Sequence, residues 1–468
     1  MQETNLLASV LGITLVAILW WYAKRARTSP YKSPGPPALP IIGHLLSIPL
    51  HDQAETYQKW GKRYGDVLKL NIVGKTLIVL NSEEAATDLL EKRGQKYSDR
   101  PRLASVEVMG WDRHMVWAKY GKEFHMSRKL FQDQLSLKQC EVFQDRQIRQ
   151  ARIMVKNIVK DPTSHRIHML RFVASVITEV AFGHEISSPE DNYLQFVEKF
   201  TEDLGQLASS RTIELLGLFP FLKNIPQWFP GAGFKRHANL LSKEWEFMET
   251  YFCEEVQKEL KTGNARPSFL ANHLETLMHS EKHVNDEDIN RLKAAAFLMY
   301  LAGNETTWAG LSTFILAMLL RPHVQRKAQD EIDKVVGKRV IPDLSDREAL
   351  PFVEAVMQET LRWFPPVPLG NSQRIQALSS ITHDEGVYHN PDEFYPERYF
   401  SQALRPAEPY PKSVWGFGRR ICPGRHLAES SLWTAIVHIL ATVNIRPAKD
   451  SMGEDIIPPV QYTTHLTR

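Results

Sequence analysis

Residues 294–320 are almost entirely apolar over 27 positions, yet the middle of the run reads Ala302-Gly303-Asn304-Glu305-Thr306-Thr307. A stretch of that length either crosses a bilayer or runs through the centre of a large protein body. A carboxylate, an amide and two hydroxyls at its midpoint make lipid the expensive choice. The flanks agree. Asn285 is a good N-cap followed by the acids Asp286, Glu287 and Asp288, and Pro322 stops the pattern. The spacing therefore predicts one long core helix with a polar notch, and the chain must be able to bury it on every side. With 468 residues, 43% of them hydrophobic and 24% charged, it can. Length alone suggests about three domains, but no linker or internal repeat interrupts the chain after its N-terminal region. One large domain over 41–468 is expected.

Helical patterns recur from Glu83, through 121–160, 165–182, 190–215, 236–261 and 286–336. One β-hairpin is predicted over 66–80, turning at Gly74-Lys75. The stretch 218–234 is apolar and aromatic but broken by Pro220, Pro226 and Pro230, so no regular helix fits it. It is either a buried loop or an exposed, membrane-dipping rim of an entrance.

Near the N-terminus, 6–23 is an uncharged, mostly apolar run, about 27 Å long as a helix, enough to span a bilayer. Trp20, Trp21 and Tyr22 end it, and Lys24, Arg25, Arg27 and Lys32 follow. That order suits an uncleaved anchor, 1–29 with its basic flank, whose body stays cytoplasmic. Ser33-Pro34-Gly35-Pro36-Pro37 then forms a stiff hinge, 30–40, that cannot be helix. A net charge of +3 offers no footing for nucleic acid. Cys140, Cys253 and Cys422 are too few and too scattered for a disulfide framework.

The third cysteine carries the chemistry. Trp415-Gly-Phe-Gly-Arg-Arg-Ile-Cys-Pro-Gly424 sets Cys422 between the glycines 418 and 424 and just ahead of a helical pattern. Glycines let the backbone turn tightly and approach a flat ligand. A helix N-terminus favours a thiolate, and a thiolate is the axial ligand that pushes electron density onto haem iron.

This loop resembles the haem-binding loop of the cytochromes P-450, the haem-thiolate monooxygenases of microsomal type, with Trp415 where the family usually has Phe. The notch matches the family's pattern on its oxygen-binding helix. Glu359-x-x-Arg362 and Pro396-Glu397-Arg398-Tyr399 match two further motifs. The resemblance implies the cytochrome P-450 fold, mainly α with small β-sheets, and haem b held by Cys422. It makes Phe417, Gly418 and Gly424 part of the haem loop, Ala302 and Gly303 an oxygen-facing groove, Glu305 a proton relay and Thr306 the oxygen-activating hydroxyl. It makes Glu359, Arg362 and Arg398 a buried charge triad that supports the loop. Haem propionates call for fixed cations. Arg420 is the first candidate, then Arg128 in a segment with Phe124 for the family's Trp, then Arg374 with Gln373 for its His. About twenty residues that the family usually has between that arginine and His383 are missing here, which would remove a small hairpin and a strand beside the haem.

The leading expectation is hydroxylation or epoxidation of a lipophilic small molecule with O₂. The chain has no Gly-rich phosphate fingerprint for a nicotinamide or flavin. Electrons would come from an NADPH-dependent flavoprotein reductase docked on Arg128, Lys129, Arg419, Arg420 and Arg425, at the endoplasmic reticulum membrane. The alternatives are a peroxide-using or isomerising haem-thiolate enzyme, and a haem-binding non-enzyme disabled by the missing segment.

Overall fold

The computed structural model describes residues 34–49, 52–188, 190–196, 199, 203, 216–217, 219–279, 285–369, 378–403 and 405–460. The expected anchor at 6–23, the helical pattern over most of 197–215, and Arg374 lie outside them. Among the described residues no helix is long and apolar enough to cross a membrane.

Helices dominate. Helix α1 (Gln53–Tyr64) leads into a hairpin of β1 (Val67–Ile72) and β2 (Lys75–Leu80), antiparallel with Ile72 opposite Lys75. The turn is Val73-Gly74, one residue earlier than expected, and both residues have positive φ, 46° and 80°. That is the twist a two-residue hairpin demands. The proline-rich segment lies along the far edge of β1: the Pro34 carbonyl accepts from Lys69 N–H at 3.0 Å, and His44 N–H donates to Asn71 at 2.7 Å. A second, minimal sheet pairs β3 (Ala448–Lys449) with β4 (Asp455–Ile456).

The body consists of α2 (Lys122–Gln134), α3 (Gln144–Lys160), α4 (His165–Phe182), α5 (Gly233–Thr262), α6 (Phe269–Met278), α7 (Asp286–Leu320), α8 (Pro322–Val335), α9 (Pro351–Trp363) and α10 (Arg425–Thr442). The 35-residue α7 is the helix expected from the opening run. Asn285 caps it by accepting from Asp288 N–H at 2.8 Å, and Pro322 begins α8. Helices α4, α5, α9 and α10 pack round α7, so Phe297, Leu311, Phe314 and Met318 are fully buried. Helix α10 is equally enclosed, with Trp433, Ile436 and Val437 at zero exposure. Burying a residue of this kind is worth about 1.5–3 kcal/mol, and these two central helices fix the frame on which the site is built.

The segment 219–234 is not buried. Phe221 and Trp228 are 65% and 79% exposed, with Phe219 and Phe229 beside them, round a short 3₁₀ turn at Pro220–Asn224.

Candidate functional site

Cys422 follows a 3₁₀ turn, Gly418–Arg420, and stands three residues before Arg425, the first residue of α10. Its own N–H donates to the Trp415 carbonyl at 2.8 Å, closing the loop on itself. The two glycines act differently. Gly418 has φ +54°, and a Cβ there would lie 2.2 Å from the Leu90 carbonyl oxygen, so this glycine lets the loop rest on the backbone of 87–92. Its place is behind the loop, not against a flat ligand as expected. Gly424 faces open space and lines the cavity beside Cys422.

That cavity holds about 1730 Å³ of empty space, its open mouth included. Cys422, Phe417 and Gly424 line it from the loop, Ala302, Gly303 and Thr306 from α7, Arg128 from α2, and Met115 and Val116 from the segment 98–120. The thiol loop and the notch thus share one chamber. Gly303 opens less room than expected, because a Cβ at that position would meet the Ile177 side chain of α4 at 2.7 Å. The missing side chain admits a neighbouring helix.

Thr306 turns its hydroxyl back to the Ala302 carbonyl at 2.8 Å, which leaves the oxygen's lone pairs facing the cavity. Glu305 does not line it. Successive helical residues diverge by about 100°, so the acid and the alcohol expected side by side point different ways.

The charges in the chamber are arginines. Arg420 donates to the carbonyls of Ser98 at 2.6 Å, Met115 at 3.3 Å and Ala118 at 2.7 Å, and its guanidinium lies 4.2 Å over the Phe124 ring. Arg128 donates to the Ile421 carbonyl at 2.6 Å, the residue before Cys422. Both point inward, which removes them from the expected docking face; Lys129 and Arg419 remain exposed. A third guanidinium was not foreseen. Arg100 is 8% exposed, lines the cavity, and donates to the Val116 carbonyl at 2.9 Å. Nothing in the local sequence pattern signals that place. Burial pushes Arg420 down to about 10 and, with Arg420 close by, Arg100 down to about 9. Burial also lowers Arg128, the nearby Cys422 opposing it. No carboxylate lines the cavity among the described residues.

Burial raises the Cys422 thiol too, partly offset by a hydrogen bond from Gly424 N–H and by the charges of Arg128 and Arg425. The expected thiolate therefore needs more than the helix N-terminus. Three inward-turned guanidinium groups, a lining without a carboxylate, one sulfur and a wide space fit a dianionic macrocycle whose metal would take the sulfur.

Behind the loop the second set of charges is closed on itself. Arg362 donates to Glu359 through Nε and Nη2, both at 2.8 Å, and Arg398 Nε donates to the same carboxylate at 3.0 Å. Tyr395 N–H and Tyr399 O–H, each at 2.9 Å, complete its shell. All three charged side chains are at most 1% exposed.

Comparison with known proteins decides the family. The Cytochrome P450 family model matches residues 33–377 and 371–465. The chain belongs to the cytochrome P450 family. It is similar to cytochrome P450 monooxygenase 136 of Postia placenta, 35% identical over 486 residues, 98% of this chain and 91% of that one. Cytochrome P450 monooxygenase 176 of the same organism is 34% identical over 99% of this chain and 92% of its own length. Cytochrome P450 monooxygenase ple1 of Rhodocybe pseudopiperita is 32% identical over 98% and 92%. This cytochrome P450 is a haem-thiolate monooxygenase, an oxidoreductase that uses O₂, a redox partner and a small-molecule substrate, and its haem b takes a cysteine thiolate. Cys422 is the cysteine in the cavity; Cys140 and Cys253 are buried elsewhere. The family match is in two parts that meet at 371–377, within the stretch expected to lack about twenty residues.

Proposed function

We propose that this P450 hydroxylates or epoxidises a lipophilic small molecule, with electrons from an NADPH-dependent flavoprotein reductase. The observation that carries it is the single cavity lined by both Cys422 and the 302–307 notch, with apolar walls from Leu298, Met299, Val116 and Val367. Haem, when bound there, supplies the redox centre at which O₂ is activated and one of its atoms is inserted.

The chain's own residues do the rest. Arg420, Arg128 and Arg100 offer donors to two propionates, and Arg374 is retained as a further donor from the sequence. The apolar walls exclude water and favour a lipophilic substrate by its buried area. Thr306 holds a proton position at Oγ inside the cavity, and Glu305, facing away from it, is the acid that resupplies that position from outside. Exposed Lys129 and Arg419 offer a small basic surface for an acidic redox partner. The exposed aromatics at 219, 221, 228 and 229, with the apolar run 6–23, support attachment to a membrane, which we assign to the endoplasmic reticulum with the body on the cytoplasmic side.

Purified full-length protein with reductase and NADPH tests the reading. Oxygen consumption with products from a lipophilic panel is expected, and steep loss of reduction rate with salt marks the basic surface. Product formation from peroxide without NADPH would instead favour the peroxide-using alternative. Thr306→Ala should lower product formed per NADPH by up to about 10²-fold; unchanged coupling removes the role given to its hydroxyl.

A further inference from the structure

The segment 98–120 supplies one wall of the cavity through Arg100, Met115 and Val116. On the cavity side it is held by arginines: Arg100 on the Val116 carbonyl, Arg420 on those of Met115 and Ala118. On its far side lies a second, separate grip. Glu249 of α5, with its side chain 3% exposed, meets His114 Nε2 at 2.8 Å through one oxygen and accepts from Arg113 at 2.8 Å through the other. Trp245, one turn earlier on α5, also donates to that carboxylate. The other ring nitrogen of His114 faces the Trp111 carbonyl at 3.2 Å, so both are engaged. Trp245 stacks edge-on to His114 at 4.5 Å and to Phe297 of α7 at 4.7 Å, which ties the cluster to the helix that carries the notch.

A carboxylate taken out of water is retained only with such a full set of partners. These partners are concentrated at one point, His114, whose next two residues line the cavity. No residue of α5 lines the cavity itself. Glu249 therefore reaches the chamber's wall through the segment 98–120, at Arg113 and His114.

We propose that Glu249 is a positioning residue that fixes the wall at Met115 and Val116, and so sets the size of ligand admitted to the cavity. Glu107 and Lys223 form a second tie between the same segment and the 3₁₀ turn at Pro220–Asn224, but both are far more open to water. Exposed pairs hold weakly. The buried cluster is the one that holds the wall.

The test uses the haem-loaded full-length chain and needs no turnover, so it stands apart from the oxygenation reading. Imidazole and the bulkier 1-phenylimidazole are mixed with it, and association is followed as the absorption shift on nitrogen ligation. In Glu249→Leu the association rate of 1-phenylimidazole should rise about tenfold while that of imidazole stays within about twofold. His114→Phe keeps the ring stack and removes both ring hydrogen bonds, to Glu249 and to the Trp111 carbonyl, and should give the same pattern at about threefold. It also covers the case in which Glu249→Leu does not fold. Glu107→Gln should leave both ligands within about twofold. Equal changes for the two ligands, no change in His114→Phe, or a slower 1-phenylimidazole would overturn the proposal. So would a Glu107→Gln effect as large as that of Glu249→Leu.

Discussion

Two groups of buried arginines stand on either side of the thiol loop, and they are used in opposite ways. Arg362 and Arg398 are closed on Glu359, every oxygen and most nitrogens of the set accounted for within the protein. Arg100 and Arg128 are each 8% exposed and Arg420 is partly buried; they donate to backbone carbonyls, and among the described residues no acid lines their cavity. The first group is neutralised by folding. The second is left cationic, so that part of its neutralisation awaits a ligand. Arginine count and burial alone therefore say nothing about function, whereas the presence or absence of an acid does.

The sharpest cut is at the sulfur. Cys422→Ser should abolish the thiolate signature in the absorption of the reduced, carbon monoxide-bound protein while leaving the helical circular dichroism unchanged. Next, Glu359→Gln leaves two guanidinium groups short of their shared acid, a loss of about 3–5 kcal/mol. Because that network is complete without cofactor, thermal unfolding of the haem-free and haem-loaded proteins should show the same loss. Arg100→Met should behave oppositely. Removing a buried cation that lines the cavity should cost the haem-free protein little, but weaken haem retention by about 2 kcal/mol, roughly thirtyfold. Transfer of haem to an apoglobin measures the second effect. If Arg100→Met costs both forms alike, the contrast between the two groups fails.

The smallest effect concerns the notch. Gly303→Ala forces Ile177 to move and should cost about 1–2 kcal/mol. Ile177→Val should recover part of it in the double variant, and strict additivity of the two changes would contradict the contact.

These outcomes bear on what a sequence can be made to say. The loop around Cys422 and the helix 286–320 were legible because each is a contiguous pattern: a spacing of glycines and arginines, and a cap, an apolar period and a proline stop. Glu359 and Arg362 stand three apart on one helix face, a spacing that allows an ion pair, whereas Arg398 was legible only through resemblance, since a distant charge carries no local signature of meeting. Arg100 was missed because its role depends on where a loop folds back, which neither periodicity nor capping records. The duties of Gly303 and Gly418 were read as room for a ligand, and Gly303 does line the cavity, but both glycines also have protein neighbours that the reading left out. Those neighbours are Ile177 and the Leu90 carbonyl, and a missing Cβ does not say which neighbour requires its absence. The cysteine thiolate expected of the loop is the ligand the family uses, although burial by itself raises the thiol and one helix terminus only partly offsets it.

The hydrogen bond from Arg128 to the Ile421 carbonyl, together with the bond from Cys422 N–H to Trp415, has a consequence for maturation. Both are made by the polypeptide alone, with no contact to a porphyrin needed, so we expect the sulfur's socket to be shaped before any porphyrin arrives. Acquisition of the cofactor is then a docking into a standing mould, with little chain ordering left to do. Amides of 415–424 should already exchange slowly with deuterium in the haem-free protein.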